Sequence, residues 1–330
     1  MTQLIRHALA AFTAATLSLS VPMAHAQAPG QAAYPSKPVR IVVGYSAGGP
    51  TDLVARLLAT QLQTATGQPF VVDNKPGAGS NLATDMVAAA APDGYTLLLA
   101  AAPITMNAFL YKNLKWDVQK SLDPVSMVMS APSILAVNPK VPAQNLQELI
   151  SLARKKPGEL TFGSTGMGGS QHMAGEVFKQ RAGIDIVHVP YKGAAPALQD
   201  LIAGHVTMAF MTSLSAVPYV KDGKVRALAV ASKTRIPQLP DLPTVSEAGL
   251  PGFEADSWNG LFAPRGTPPE VINRLHTEVA RIAASPDFKE KLQAQGAVVV
   301  GNSPAEFHAF IKQEVEQWAK VFQTVNVKAD

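Results

Sequence analysis

The chain has no cysteine, only 6% aromatic and 16% charged residues, and each shortage removes a class of protein. Without thiols there is neither a disulfide framework nor a Cys-ligated metal site, and an oxidising compartment poses no hazard. Past the N-terminal segment no stretch holds the roughly 18 uninterrupted apolar residues that a spanning helix needs. The surplus of positive charge is slight, 28 Lys and Arg against 24 Asp and Glu. It is also scattered, without the clustered basic face or interleaved aromatics of a nucleic-acid binder. What remains of it suits a small anionic ligand.

The first 26 residues carry a basic start (Arg6), an acid-free apolar run over 8–21, and Ala24-His25-Ala26 at the spacing a signal peptidase reads. This three-part pattern predicts a cleaved secretion signal, with a mature chain beginning near Gln27 in a periplasm-like compartment. Losing Arg6 leaves 27 basic against 24 acidic residues, a net charge of +3. Residues 27–36, rich in Ala, Pro and Gln, read as a flexible leader.

About 300 residues remain, more than one core usually organises, so two domains are expected. From Val39 short apolar runs alternate with helical patterns, the order of parallel sheets covered by helices and hence an α/β fold. VRIVVGY leads to a helix over 51–66, FVVDN to one near 81–91, and DGYTLLLAA gives a third strand. A second set runs from SILAVNP through helices at 146–155, 171–181, 195–203 and near 216–221, with strands LTFGS, IVHVPY, VTMAFMT and VRALAVAS between them. Then come a Pro- and Gly-rich stretch over 237–266 containing SWNGLFAP, two amphipathic helices at 269–284 and 304–322, and VVVGN at 298–302. These last helices have almost no sheet of their own and bury their apolar faces most simply by returning to the first set. The chain then crosses twice, near 125–129 and 256–261. The assignment is residues 37–127 plus 258–330 as one domain and 128–257 as the other, two lobes on a double-crossover hinge with a ligand cleft between them.

The loops after the strands carry the chemistry. In IVVGYSAGGPTD a β-branched strand, a Gly turn and a helix start share twelve positions, with Pro50 at the first helical position and Gly49 as its cap. Such a start aims unpaired backbone N–H groups, helped by the helix dipole, at whatever lies above it, and an anion is what they attract. An ordinary βα turn has the same letters. KPGAGSN, residues 75–81, repeats the arrangement, with Ser80 and Asn81 able to cap the helix or to touch a ligand. Residues 163–170, GSTGMGGS, place four glycines and three hydroxyls before a helix that carries His172, a nest of donors able to hold an anion without a fixed cation. The candidate binding set is therefore Tyr45, Ser46, Ala47, Gly48, Gly49, Thr51, Asp52, Ser80, Asn81, Ser164, Thr165, Gly168, Gly169, Ser170 and His172. Asp256, beside Trp258 at a crossing, joins it.

Other readings of the same residues carry less. No Gly-Lys-Ser/Thr follows the glycines, so there is no nucleotide P-loop, and a lone G-x-G is weak evidence for a dinucleotide. His172 and Glu176 share a helix face, yet no second His supplies a third ligand at suitable spacing, so no metal and no cofactor is expected. Trp258 either closes over a ligand or packs the hinge. Tyr191-Lys192-Gly193 is a further cleft-edge loop. Met127, Met129, Met208 and Met211 read as core. Gly44-Tyr45-Ser46-Ala47-Gly48 fits the G-x-S-x-G elbow of an α/β serine hydrolase, with Asp256 and His276 following in order. Against it, the elbow sits on the first strand, leaving no earlier strand for an oxyanion loop, and Pro50 enters the turn.

Taken in order, the loops resemble those of the substrate-binding proteins of tripartite tricarboxylate transporters, the TctC or Bug family of bacterial periplasmic receptors. The matching stretches are YPSKPVRIVVGYSAGGPTD, VVDNKPGAGSNLAT, APDGYTLLLA, LTFGSTGMGGSQHMAGEVF, VPYKGAAPALQDLIAGHV and LPTVSEAGLPGFEADSWNGLFAP. The resemblance implies a type II periplasmic-binding-protein-like fold that clamps an organic carboxylate through backbone amides and bridging waters. It further implies a non-catalytic monomer working with membrane permease subunits, or else a ligand-sensing receptor for a signalling system. The family's two ligand loops match 45–52 and 164–172. Two departures alter the pocket lining: Ser46-Ala47 stands where Pro-Pro or Ala-Pro is common, and Ser80 replaces a frequent glycine.

Overall fold

The computed structural model describes residues 34–294, 296–325 and 327, and the expected signal peptide and most of the leader lie outside them. The chain opens with β1 (Val39–Val43), α1 (Pro50–Thr66), β2 (Phe70–Asn74), a 3-10 turn at Ala78–Ser80, α2 (Asn81–Ala88) and β3 (Thr96–Ala101). A second 3-10 turn at Ala102–Thr105 and a single α turn, α3 (Asn107–Leu110), precede the long strand β4 (Leu122–Val137). There follow α4 (Leu146–Lys155), β5 (Thr161–Ser164), α5 (Ser170–Ala182), β6 (Val187–Pro190), α6 (Ala194–Ala203), β7 (Met208–Thr212), α7 (Ser213–Lys221) and β8 (Arg226–Val230). The last part holds β9 (Asp256–Pro264), α8 (Pro269–Ala284), α9 (Pro286–Gln293), β10 (Val298–Val299) and α10 (Pro304–Val321).

Two sheets share one strand. In the first, β1 pairs in parallel with β2 and β3, β3 lies antiparallel to β9, and β9 lies antiparallel to the first part of β4, with β10 beyond it. In the second, the last residues of β4 lie antiparallel to β7 and β8, and β5 runs parallel to β6 and β7. The change of partner falls between Pro132, paired with Asp256, and Ser133, paired with Thr212. Two lobes therefore join through adjacent, mutually hydrogen-bonded strands.

Each sheet is a filling between two helical layers, and the alternation of side chains along a strand decides which layer each residue meets. Ile41 and Val43 pack with Leu97, Leu99 and the apolar face of α1 (Val54, Leu58, Leu62), together with Leu275, Val279 and Ile282 of α8. Val42, Leu98 and Ala100 turn the other way, onto Ala83 and Val87 of α2 and Phe307 and Ile311 of α10. The second sheet repeats the scheme: Leu135 and Phe210 meet α4 and α5, while Ile134, Ala209 and Met211 meet α6 and α7. Strands buried on both faces need unbroken apolar runs, which is why VRIVV and TLLLAA read as they do.

Helix ends follow from single residues. Pro50 occupies the first turn of α1, where its missing N–H costs nothing, and Gly67, at φ 72°, closes the helix by donating its N–H to Gln63 O. α10 begins with a reciprocal capping box between Ser303 and Glu306.

Several elements differ from the sequence reading. The strand expected as SILAVNP is the end of a 16-residue strand that starts at Leu122. Pro124, Pro132 and two register irregularities against β9 interrupt its periodicity, so its first part reads as a linker. VVVGN forms only a two-residue strand, and α9, whose eight residues bury only Phe288 and Leu292, carries too short an apolar pattern to stand out.

Candidate functional site

Turns that follow parallel strands gather at the strands' carboxyl ends, and in both lobes those ends face one cleft. A cavity, part of it open to solvent, lies there. The first lobe contributes Tyr45, Ser46, Ala47, Gly49, Pro50 and Thr51 from the β1–α1 turn, Ala101 and Pro103 after β3, Met129 of β4, and Ser257 and Asn259 of β9. The second contributes Thr165, Ser170 and Gln171 where β5 passes into α5, residues 192–196 between β6 and α6, and Thr212 at the end of β7. One lining residue is charged, Lys192, and none is acidic.

Three long helices start at the wall, those beginning with Pro50, Ser170 and Ala194. In α1 the first intrahelical bond runs from Leu53 N–H to Gly49 O, so the N–H groups of Thr51 and Asp52 precede the ladder. In α5 it runs from Met173 N–H to Gly169 O, which leaves those of Ser170, Gln171 and His172 ahead of it. Together with the dipoles of three helices, these donors make the cleft electropositive without a row of cations.

Side chains hold the turns rather than crowd the cavity. Asp52 is buried; its Oδ2 accepts the Gly48 N–H (2.9 Å) and Arg56 Nε (2.9 Å), and its Oδ1 accepts Asn74 Nδ2 (3.0 Å). Burial works against its ionisation, but Arg56, the Gly48 N–H and Asn74 outweigh it and hold the carboxyl below the usual aspartate range. Asn259 Nδ2 donates to Thr51 Oγ1 and to Ala100 O, both at 3.2 Å, tying β9 to the start of α1. Across the cleft, Ser46 Oγ donates to Lys192 O at 3.2 Å, so the lobes touch at the mouth.

Of the residues singled out from sequence, Tyr45, Ser46, Ala47, Gly49, Thr51, Thr165 and Ser170 line this cavity. Gly48 faces a neighbouring cavity beside α1, and Ser164 a small one behind β5. Ser80 and Asn81 lie below the turn: an added Cβ at Gly44 would sit 1.8 Å from Ser80 Oγ, and Asn81 Oδ1 accepts Asn107 Nδ2 at 2.6 Å. Gly168, Gly169 and His172 form the back of the second-lobe turn, and Asp256 is exposed beside the lining residue Ser257. Trp258 packs the hinge edge, 2% exposed, with its indole N–H on Glu314 Oε2 at 3.2 Å and edge-on rings against Phe307 and Phe310. Ser46, the elbow serine of a hydrolase reading, gives its hydroxyl proton to a carbonyl rather than to an imidazole.

The lining residues the sequence did not disclose are Ala101, Pro103, Met129, Thr212, Ser257 and Asn259. Apart from Met129 and Asn259, which lie within β4 and β9, they sit at or just past strand ends, and the local pattern at all six shows only an apolar or mixed strand. Their shared address depends on β9 and β4 joining the sheets. Gln171 and residues 194–196 followed recognised turns and were legible as neighbours of a loop.

Two sandwiched lobes with a donor-lined cleft define a solute-binding protein. Residues 54–327 match the family model described as tripartite tricarboxylate transporter family receptor, TctC, and the chain belongs to that family. It is 37% identical over 297 residues to Protein BugT of Bordetella pertussis, an alignment covering 89% of this chain and 91% of that protein. Among solved structures it is similar to an R. palustris protein with adipate (TM-score 0.87, 37% identity, 89% of this chain and 99% of that one). It is also similar to MatC from Rhodopseudomonas palustris with bound malate (TM-score 0.84, 34% identity, 88% and 100%). The periplasmic binding protein BugD matches with a TM-score of 0.85 at 37% identity, over 89% of this chain and 99% of its own. The fold is thus that of the periplasmic solute-binding receptors, and their carboxylate-bound members favour the receptor reading over a serine hydrolase.

Proposed function

We propose that the protein captures a small organic carboxylate between its lobes in the periplasm and hands it to a membrane transporter of the tripartite tricarboxylate type, without catalysis. One observation carries this: the cavity is walled by three helix starts and by hydroxyls and amides from both lobes, with no acidic side chain in its lining. An ionised carboxylate accepts several short N–H bonds at once, and such charge-assisted bonds are about twice as strong as neutral ones. Thr165, Ser170 and the α5 start grip from one lobe while Ser46, Ala47, Thr51 and the α1 start grip from the other. The apolar stretch formed by Ala101, Pro103 and Met129 takes the carbon chain of the acid.

In this reading the first sheet with its helices, the expected 37–127 plus 258–330 extended by the first-sheet residues 128–132 and 256–257, acts as one gripping body and the second sheet with its helices as the other, after removal of residues 1–26 near Ala26. Closure follows from differential affinity, since only the closed state offers both sets of donors at once. The protein works as a monomer whose closed face is read by the permease.

The test is calorimetry on purified residues 27–330 against a panel of mono-, di- and tricarboxylates that includes adipate and malate. Saturable one-to-one binding without product formation is expected. A panel that yields no heat and no thermal shift overturns the reading, and so does ester turnover that disappears in Ser46→Ala.

A further inference from the structure

Beneath the second-lobe turn lies a pair of imidazoles that takes no part in lining the cavity. His172 of α5 is 2% exposed and stacks on the partly buried His188 of β6, ring centroids 3.8 Å apart and 15° from parallel. Phe162 of β5 completes the stack, 4.9 Å from His188 and 6.3 Å from His172. Gly175 gives Phe162 the space, since a Cβ there would lie 2.2 Å from its ring.

Both rings hold the turn. The N–H of Gly168 donates to His172 Nδ1 at 3.0 Å, and Ser164 Oγ shares a 2.6 Å hydrogen bond with His188 Nε2 while also accepting the Gly166 N–H at 3.1 Å. Gly168 itself abuts the other lobe: a Cβ there would lie 2.4 Å from Leu110 Cδ1. The same turn carries Thr165 and leads into Ser170 and Gln171 in the cavity wall.

We propose that His172 and His188 are positioning residues of the second-lobe turn, and that the neutral state of His172 Nδ1 latches Gly168 against Leu110, so that ligand is retained near neutral pH and released on acidification. The ligand half of this rests on the function proposed above. An Nδ1 that accepts the Gly168 N–H carries no proton, which leaves Nε2–H directed at Glu176 Oε1, 3.7 Å away. Protonating Nδ1 turns the acceptor into a donor facing a donor, and the turn must shift away from Leu110. Stacking at 3.8 Å also forbids charging both rings together.

The surrounding charges fit such a switch. From α5, Glu176 lies 3.7 Å from His172 Nε2; burial works against its ionisation, but His172 and Lys179 hold its carboxyl below the usual glutamate range, and Lys179 also ion-pairs with Asp185 at 3.1 Å. β5 and β7 present only uncharged side chains to the stack. Asp200 of α6 is committed to Tyr191 and His205. Burial, and then His172, push His188 down to about 4, so His188 stays neutral across the physiological range.

The test has a ligand-free arm and a ligand arm. In ¹⁵N-labelled residues 27–330 without ligand, the imidazole and Gly168 amide signals are followed from pH 8 to pH 4. The expected result is an unprotonated His172 Nδ1 near neutrality and a Gly168 amide that titrates together with that ring. In the second arm the affinities for adipate and malate are compared between pH 7 and pH 5 in wild type, His172→Asn and His188→Gln. Asn places an untitratable oxygen where Nδ1 was and so keeps the Gly168 bond, and titration of the acids themselves cancels between proteins. The loss of affinity on acidification should be at least fivefold greater in wild type than in His172→Asn, with His188→Gln following wild type. A Gly168 amide indifferent to His172 overturns the latch, as does equal acid sensitivity in wild type and His172→Asn. If neither acid binds at any pH the proposed function fails, and the amide titration alone then decides the latch. If His172→Asn does not fold, the wild-type titration of the Gly168 amide against the His172 ring decides the latch.

Discussion

At the scale of single residues, the site is governed by positions where a side chain must be absent or must bend the backbone. Gly168 has φ 70° and faces Leu110 across the cleft, so Val there meets both backbone strain and a collision between lobes. Gly168→Val is expected to weaken carboxylate binding at least tenfold, with a smaller loss of stability from the strained backbone, because the collision falls between the two lobes that must meet at this turn. Calorimetry beside a thermal melt separates the two, and unchanged affinity would show that the lobes do not close on this turn. Ser80 also sits at positive φ, 75°, without a side-chain cap bond. The left-handed conformation costs a side chain about 1–2 kcal/mol. Glycine gives back about 0.5–1 kcal/mol of that through the freer unfolded chain. Ser80→Gly should therefore stabilise by about 0.5 kcal/mol in a denaturant titration; a clear loss would mean that Ser80 Oγ supports the turn at Gly44.

At the scale of elements, stability and function draw on different parts of the same helix. The apolar stripe of α1 anchors it to β1 and to α8, whereas its first turn faces the cavity. Leu58, fully buried midway along it, illustrates the division. Leu58→Ala removes that packing and leaves a cavity, a cost of about 2–5 kcal/mol in a chemical unfolding experiment. Carboxylate affinity measured where the variant is still folded should change little, since the first turn keeps its Pro50 start and its Asp52 brace. A large loss of affinity with little loss of stability would reverse this assignment. The elements also show what periodicity can disclose. α1, α4, α8 and α10 match their expected bounds to within a residue, because one apolar face, a Pro start or a Gly or Asn boundary marks each end locally. The first part of β4 gives no such signal, for its order comes from pairing with β9 more than a hundred residues away.

At the scale of the whole molecule, the two lobes are coupled by paired strands and by contacts across the cleft, so proton and ligand act on one equilibrium. His188 is held at about 4 against an ordinary 6.5, so the folded chain binds fewer protons there than the unfolded one. Its contribution to stability is full above about pH 6.5 and is lost as pH falls from there towards 4. Melting temperature should accordingly drop over that window, and the drop should shrink in His188→Gln; an identical pH profile would place the sensitivity elsewhere. Ligand binding raises melting temperature by mass action, so the same melts repeated with a carboxylate report whether binding shares this pH dependence.

The amino-acid sequence by itself determined the succession of strand, turn and helix, the glycine turns 44–49 and 163–169, and the resemblance carried by six ordered segments. All of these are written in residues adjacent along the chain. Only the tertiary structure decided that Ser257, Asn259, Met129 and Pro103 share a cavity with those turns, that Asp52 and Ser80 brace rather than line it, and that His172 lies on His188. The physical reason is range. Propensity and periodicity act over a few residues, whereas the site is assembled where strands from two sheets end together, and that meeting place is fixed by the register of β4 against β9.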